Sequence, residues 1–306
     1  MANTKEIKSR MNSVRDIQKI TNAMYLIAST KMRKAKNELD KTRPYFGALQ
    51  GEIKRIFRTA GNVESKYFYP ADGSRTLDHT YACLVITADK GLAGAYNQNA
   101  IKRAERLLSE HPDTKLFVVG EYGRQYFRKH HIPVERSFLY TAQNPTISRA
   151  REISSILLDL FDRNEVDKIF VIYTDLKSSL EGEAKSTRIL PFHRQQFVSN
   201  VEEKAVKSPF EFFPSIGSVL DNVMQSYVTG FIYSALVDSF CSEQNARMAA
   251  MNSANQNAEK ILNELSVRYN QVRQAAITQE ITEVSSGAKA QRKKRLKRQL
   301  EEVEVS

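Results

Sequence analysis

At 306 residues, with 41% hydrophobic and 26% charged, the chain excludes wholesale disorder and has room for a sizeable core. Forty-six Lys and Arg against 35 Asp and Glu leave a net charge of +11, so acidic company is expected: nucleic acid, an anionic surface or an acidic protein face. Two distant cysteines exclude a disulfide framework, and no apolar run approaches the ~18 residues that span a bilayer.

The N-terminus carries neither an apolar secretory core nor the acid-poor, Arg-rich character of a transit peptide. The chain is therefore expected to be soluble, cytoplasmic and at most peripheral to a membrane. Residues 1–43 contain no Gly or Pro and read as one helix that Pro44 ends, because proline lacks the amide a helix interior needs. Alternate steps of four and three from Ile7 reach Met11, Val14, Gln18, Thr21, Tyr25, Ala28, Met32, Ala35 and Leu39, a 3.5-residue repeat that predicts a coiled-coil seam. Ile17, Ile20, Met24 and Ile27 form a second apolar row beside it, as though another surface also touched the helix. Residues 1–60 hold 14 Lys and Arg against five Asp and Glu, which is most of the chain's excess. The cluster from Lys31 through Arg33 and Lys34 to Lys36 points to an acidic neighbour.

Residues 61–79 read as a connecting loop. From Tyr81 the period changes. Strands are predicted at 81–87, 115–120, 134–140 and 168–173, with weaker ones at 188–192 and 196–198. Helices fall between them at 97–110, 122–130 and 148–162. Such alternation predicts a largely parallel sheet with helices on its faces. A nucleotide site is poorly supported, since Ala88–Ala95 (ADKGLAGA) has two glycines three apart and matches neither G-x-G-x-x-G nor a phosphate loop. These glycines are expected to serve turn geometry and close strand–helix approach. The five histidines lack metal-ligand spacing, no nucleophile elbow is present, and no cofactor is expected.

Phe231–Ser286 runs 56 residues without Gly or Pro, one helix of roughly 84 Å. It begins near residue 215 if Gly230 is tolerated. A helix that long cannot bury its apolar stripe against one compact core, so it needs a partner helix, a surrounding protein, or both. Residues 242–257 are small and polar, suiting a close or wet seam, and Ala258, Leu262, Leu265, Tyr269, Val272 and Ala276 restore an apolar stripe. Antiparallel pairing of the two long helices is what a domain inserted between them requires.

Three segments, in order and at the right spacing, carry a resemblance. They are Lys5–Val14 (KEIKSRMNSV) with Gln18–Met24 (QKITNAM) and Lys31–Ala35 (KMRKA); Ala88–Asn97 (ADKGLAGAYN); and Ser242–Met251 (SEQNARMAAM) with Ile277–Ala290 (ITQEITEVSSGAKA). The chain resembles the gamma subunit of F-type ATP synthases, the central rotor shaft, over almost its whole length. Lys90 and Ala93 stand where that family has Arg and Cys.

The resemblance implies an α/β fold class: a long antiparallel coiled coil of N- and C-terminal helices with an inserted Rossmann-like α/β head domain. The divisions are 1–60 and 210–290 for the shaft, 61–79 for the connecting loop and 80–209 for the head. It implies a non-catalytic rotor between the alpha and beta subunits of a catalytic ring and a membrane c-ring, with an epsilon subunit at the foot, near residues 210–214. The location would be peripheral, on the cytoplasmic face of a bacterial membrane. Arg247, Gln274, Thr278 and Glu280 match residues that meet beta-subunit loops, Met24 lies near that contact, and Lys31, Arg33 and Lys34 would face acidic beta segments. A basic coiled-coil nucleic-acid-binding protein is the rival, and it leaves the C-terminal signature unexplained. Residues 291–306 exceed the family pattern. They read either as a solvated tail or as a helical extension of up to roughly 24 Å that meets acidic residues or brakes rotation.

Overall fold

The computed structural model describes residues 4–60, 65–69, 80–139, 142–176, 182–193, 197 and 211–304. In chain order the elements are α1 (Thr4–Ala60), β1 (Tyr81–Ile86), α2 (Tyr96–Glu110), β2 (Lys115–Val119), α3 (Glu121–Lys129), β3 (Arg136–Phe138), α4 (Ile147–Asp162), β4 (Lys168–Leu176), β5 (Gly182–Leu190) and α5 (Ile216–Glu304). They make two compact units, residues 25–250 and residues 1–24 with 251–306; α1 and α5 contribute to both.

The smaller unit is a helix pair. On α1 its buried or half-buried positions include Ile7, Met11, Val14, Gln18 and Thr21, the four-and-three spacing predicted. On α5 they include Met251, Ala258, Leu262, Leu265, Tyr269 and Val272, while Ala276 is exposed. The Thr21 hydroxyl donates to the Asn255 side-chain oxygen across the pair. The wet character predicted for the seam is thus a polar bridge. From residue 273 to 294 every side chain of α5 is exposed.

In the larger unit a five-stranded sheet has the order β3-β2-β1-β4-β5, parallel except for β5, which runs antiparallel to β4. Period-two alternation sorts its side chains onto two faces. Ala82, Leu84, Ile86, Phe117, Val119, Ile169 and Val171 join a core with α4 and with Leu39, Ile53 and Ile56 of α1 and Leu220, Met224, Val228 and Ile232 of α5. Cys83, Val85, Leu116, Val118 and Ile172 pack against Ala100, Ile101 and Ala104 of α2 and Phe127 of α3. Covering both faces is what lets the central strands be apolar throughout. Here too α1 and α5 are antiparallel: Cys241 faces the Met32 carbonyl, and Phe46 packs on Gly230 and Tyr233.

Three expectations need correcting. Pro44 does not end α1, which continues to Ala60. The proline ring sits on the exposed side, and the burial of Ile53, Ile56 and Phe57 beyond it offsets the lost backbone bond. The weak strand predicted at 188–192 is β5, which starts at Gly182, because pairing with β4 recruits polar residues such as Lys185 and Ser186 that carry no strand signal. Of the strand predicted at 196–198 only Phe197 lies within the described residues; it is helical and buried among aromatic rings. Gly230 is accommodated inside α5, which starts at Ile216 as expected, and a Cβ there would lie 2.1 Å from the Phe46 ring. Most of the predicted 61–79 loop, and residues 201–210, lie outside the described residues.

Both cysteines are buried. Burial raises the Cys83 thiol well above its ordinary pKa, and burial, reinforced by Asp238, raises Cys241 to about 11. Since the thiolate is the reactive form, both are expected to resist iodoacetamide at pH 8 in the native chain and to react fully in urea. Stoichiometric native labelling would contradict this packing.

Candidate functional site

The Ala88–Asn97 stretch after β1 is a loop tied by its own polar groups. Asn97 Oδ1 accepts from the Ala88 amide (2.9 Å), and Asn97 Nδ2 donates to the Lys90 carbonyl (3.4 Å). Asp89 Oδ1 accepts from the Glu121 amide (2.9 Å). Thr87 donates to the Val119 carbonyl (2.8 Å) and accepts from the Gly123 amide (3.1 Å). Gly94 takes φ +54°, a conformation glycine adopts at little cost. This is turn geometry, as expected of the glycines.

The loop meets α5. Arg247 donates to Glu243 Oε1 (2.6 Å) and to the Gly91 carbonyl (3.2 Å), its side chain only 11% exposed and that of Glu243 only 8%. Ala246 packs against Ala88, Ala93 and Tyr96. Burial raises the Glu243 carboxyl above its ordinary pKa, and Arg247 opposes that rise. One helical turn back, Ser239 Oγ accepts from the Thr174 amide (3.1 Å), and Ser242 Oγ donates to the Thr174 carbonyl (3.3 Å). Residues 239–247 therefore fasten α5 to the strand and loop ends of the sheet. Sequence reasoning missed Glu243, Asn97 and Thr174, although a Glu four residues before an Arg is a readable helical pair.

Asp238, half-buried, is a second carboxyl here. Burial first, then Asp175, push it up to about 6, against the opposing charges of Arg43 and Lys185. A carboxyl with a folded pKa above its unfolded value of 3.8 binds its proton more tightly in the native state. Stability therefore falls as pH rises from 3.8 to about 6 and stays lower above that. Asp238→Asn should raise stability at pH 7.5 by up to about 3 kcal/mol and flatten the dependence between pH 4 and 6. Urea midpoints at pH 5 and 7.5 test it; an unchanged midpoint at pH 7.5 would refute it.

The remaining candidate residues are placed differently from Arg247. Lys31, Arg33 and Lys34 are exposed, and Lys31 and Lys34 rim a pocket of about 280 Å³ floored by Tyr233, Val237 and Phe240. Met24 is half-buried. Gln274, Thr278 and Glu280 lie on the fully exposed stretch of α5 with Ile277, Ile281 and Val284, which are 43%, 64% and 73% exposed. Ile17, Ile20 and Ile27 of the second apolar row are more than half exposed. Among the described residues no three His, Cys, Asp or Glu gather to hold a metal, and no helix is long and apolar enough to cross a membrane.

Two long helices, an α/β sheet packed against both, and exposed apolar positions along both define a protein built around helical contact surfaces. The sequence profile of the ATP synthase family matches residues 3–291. The ATP synthase gamma chain of Acetivibrio thermocellus is 41% identical, over 95% of this chain and 99% of that one. That of Caldanaerobacter subterraneus is 42% identical over 93% and 98%. The "ATP synthase gamma chain, sodium ion specific" of Acetobacterium woodii is 33% identical over 94% and 98%. In fold, the chain is similar to one in the Euglena gracilis mitochondrial ATP synthase (OSCP/F1/c-ring), with TM-score 0.65 and 14% identity over 94% of each chain. It is also similar to one in the Tetrahymena thermophila central stalk and c-ring, with TM-score 0.57 and 23% identity over 77% of this chain and 99% of that one. The chain belongs to the gamma-chain family of ATP synthases, the central-stalk rotor subunit.

Proposed function

We propose that this gamma chain has no active site of its own and transmits rotation by touching a changing partner unequally. Residues 1–60 and 210–290 serve as the shaft, 61–79 as a link and 80–209 as the head. The partners are the alpha and beta subunits of a catalytic ring around the upper shaft, and an epsilon subunit and a c-ring at the foot, near residues 210–214. The complex sits at the cytoplasmic face of a bacterial membrane, with this chain peripheral to it. A shaft shifts the nucleotide affinity of a beta subunit only if it binds that subunit's conformations with different free energies.

The observation that carries this reading is the exposure of every residue from 273 to 294 on a helix that displays Ile277, Ile281 and Val284. Those three lie at i, i+4 and i+7, one stripe, and a continuous exposed apolar stripe marks a contact surface. Gln274, Thr278 and Glu280 supply hydrogen-bonding groups beside it, and Met24, Lys31, Arg33 and Lys34 supply apolar and cationic contacts from α1. Arg247 commits one donor each to Glu243 and the Gly91 carbonyl, so its proposed beta contact shares a guanidinium already engaged inside the chain. Co-expression with alpha and beta subunits tests the reading: the chain should co-purify with the ring in sub-stoichiometric ratio to beta and raise its ATPase activity. A stable free monomer that ignores the ring, or binds DNA in its place, would refute it.

A further inference from the structure

Three elements of the larger unit line the pocket of about 280 Å³: α1, the loop that leads into α4, and α5. On α5, Tyr233, Val237 and Phe240 recur at i, i+4 and i+7, so one buried apolar stripe makes the floor. Tyr233 brings no charge, because burial lifts its hydroxyl above the ordinary tyrosine pKa against the hydrogen bond to Thr42. The rim is different. Lys31 and Lys34 sit at i and i+3, on one face of α1, and Asn144 supplies a side-chain amide from the loop. Among the described residues neither lysine makes an ion pair. Glu38, the carboxylate that lines the pocket, pairs with Lys41 at 2.8 Å, and that hydrogen bond holds it below the ordinary carboxylate pKa. It is therefore already neutralised, and the two lysines leave positive charge over an apolar cavity.

The size and the chemistry together narrow the occupant. A cavity of 280 Å³ lies at the lower end of small-molecule sites and is too small for a helix or strand of a partner. An Asp or Glu side chain would reach the lysines and leave the floor bare. An aliphatic or aromatic side chain would fill the floor and leave the lysines bare. One compact molecule with an apolar end and a carboxylate satisfies both.

We infer that this pocket binds a small organic acid, its apolar end against Tyr233, Val237 and Phe240 and its carboxylate between Lys31 and Lys34. The ammonium groups supply charge-assisted hydrogen bonds, and each methylene taken from water adds about fourfold in affinity. The site belongs to the larger unit alone and does not depend on the rotor reading. Lys31 and Lys34 are also proposed to meet an acidic partner segment, so the two occupants exclude one another, and the organic acid would loosen that contact.

Titration of the full-length chain with 4-phenylbutyrate, followed by saturation-transfer NMR and calorimetry, tests the assignment. Saturable one-site binding with a Kd of about 0.1–1 mM is expected for a ligand of this size. 4-Phenylbutan-1-ol keeps the ring and lacks the charge, and propionate keeps the charge and lacks the ring. Each should bind at least about tenfold more weakly. Lys31→Gln with Lys34→Gln should weaken 4-phenylbutyrate about tenfold. Both positions are exposed on a helix, so the circular dichroism melt should match the parent. No saturation below about 10 mM would overturn the assignment. So would an alcohol or a propionate that binds as tightly as the acid, or a double variant that binds like the parent. Any of these leaves the rotor reading standing, since that reading is decided by the alpha and beta subunits.

Discussion

Gly120→Ala is expected to prevent the larger unit from folding. Gly120 links β2 to α3 at φ +95°, where side chains other than glycine's are strained. A Cβ there would lie 2.3 Å from the Thr87 carbonyl oxygen and 2.7 Å from that of Ala88. Both are backbone atoms of the β1 end, locked by the Thr87 amide bond to Val119 (2.9 Å) and the Tyr122 amide bond to Ala88 (3.1 Å). Neither can yield without breaking the β1–β2 register on which α2, α3 and the Ala88–Asn97 loop depend. The cost should exceed about 4 kcal/mol, the range reserved for strain and backbone clashes. Gly123→Ala is the internal control. Its Cβ would meet Thr87 Oγ1 at 2.7 Å and Val118 Cγ1 at 3.0 Å, but these are side-chain atoms and Gly123 has no positive φ, so a smaller loss is expected, at the expense of the Thr87 hydrogen bonds. Urea unfolding followed by circular dichroism distinguishes them, and a Gly120→Ala chain with the parent midpoint would show the packing to be wrong.

Gly120 also shows where sequence stops being informative. That a glycine closes the second strand is legible; that its neighbours are two carbonyls of another strand is a tertiary fact. The same division runs through the fold. The seam of α1 was readable because a 3.5-residue repeat leaves a regular trace, and all ten positions from Ile7 to Leu39 are buried or half-buried. The central strands were readable because burial on both faces makes them apolar runs. β5 was legible only at its end, since an edge strand with one solvated face takes its identity from the partner it pairs with. Pro44 misled because a local breaker weighs little against the core contacts on its C-terminal side, which no local rule sees. For the contact surface, Gln274, Thr278 and Glu280 came from resemblance and are exposed as a contact requires. Arg247 came the same way and is committed inside the chain, because its partners Glu243 and Gly91 lie one turn away and 156 residues away.

That commitment sets the second large effect. Arg247→Ala should destabilise the chain by about 3–5 kcal/mol, because it strands the Glu243 carboxylate in a buried site and removes the donor to the Gly91 carbonyl. The loss should depend on pH in a defined direction. With Arg247 present, burial already holds the Glu243 pKa above 4.5, and Arg247 limits the rise. Removing that charge raises the folded pKa further, so the native state of the variant binds a proton over a window extending upward from 4.5. Within that window the stability of the variant falls as pH rises, and the full penalty appears only above its folded pKa. The gap between parent and variant should therefore be wide at pH 8 and narrow at pH 5. Glu243→Gln should cost less than Arg247→Ala, since an amide keeps an acceptor for the guanidinium and leaves no buried anion. The pair Arg247→Met with Glu243→Leu should recover part of the loss, as apolar replacements of buried ion pairs often do. Urea midpoints of the four chains at both pH values read all of this. If Arg247→Ala stays within about 1 kcal/mol of the parent at pH 8, the ion pair is no stronger than an exposed one, and Arg247 is free for a partner outside the chain.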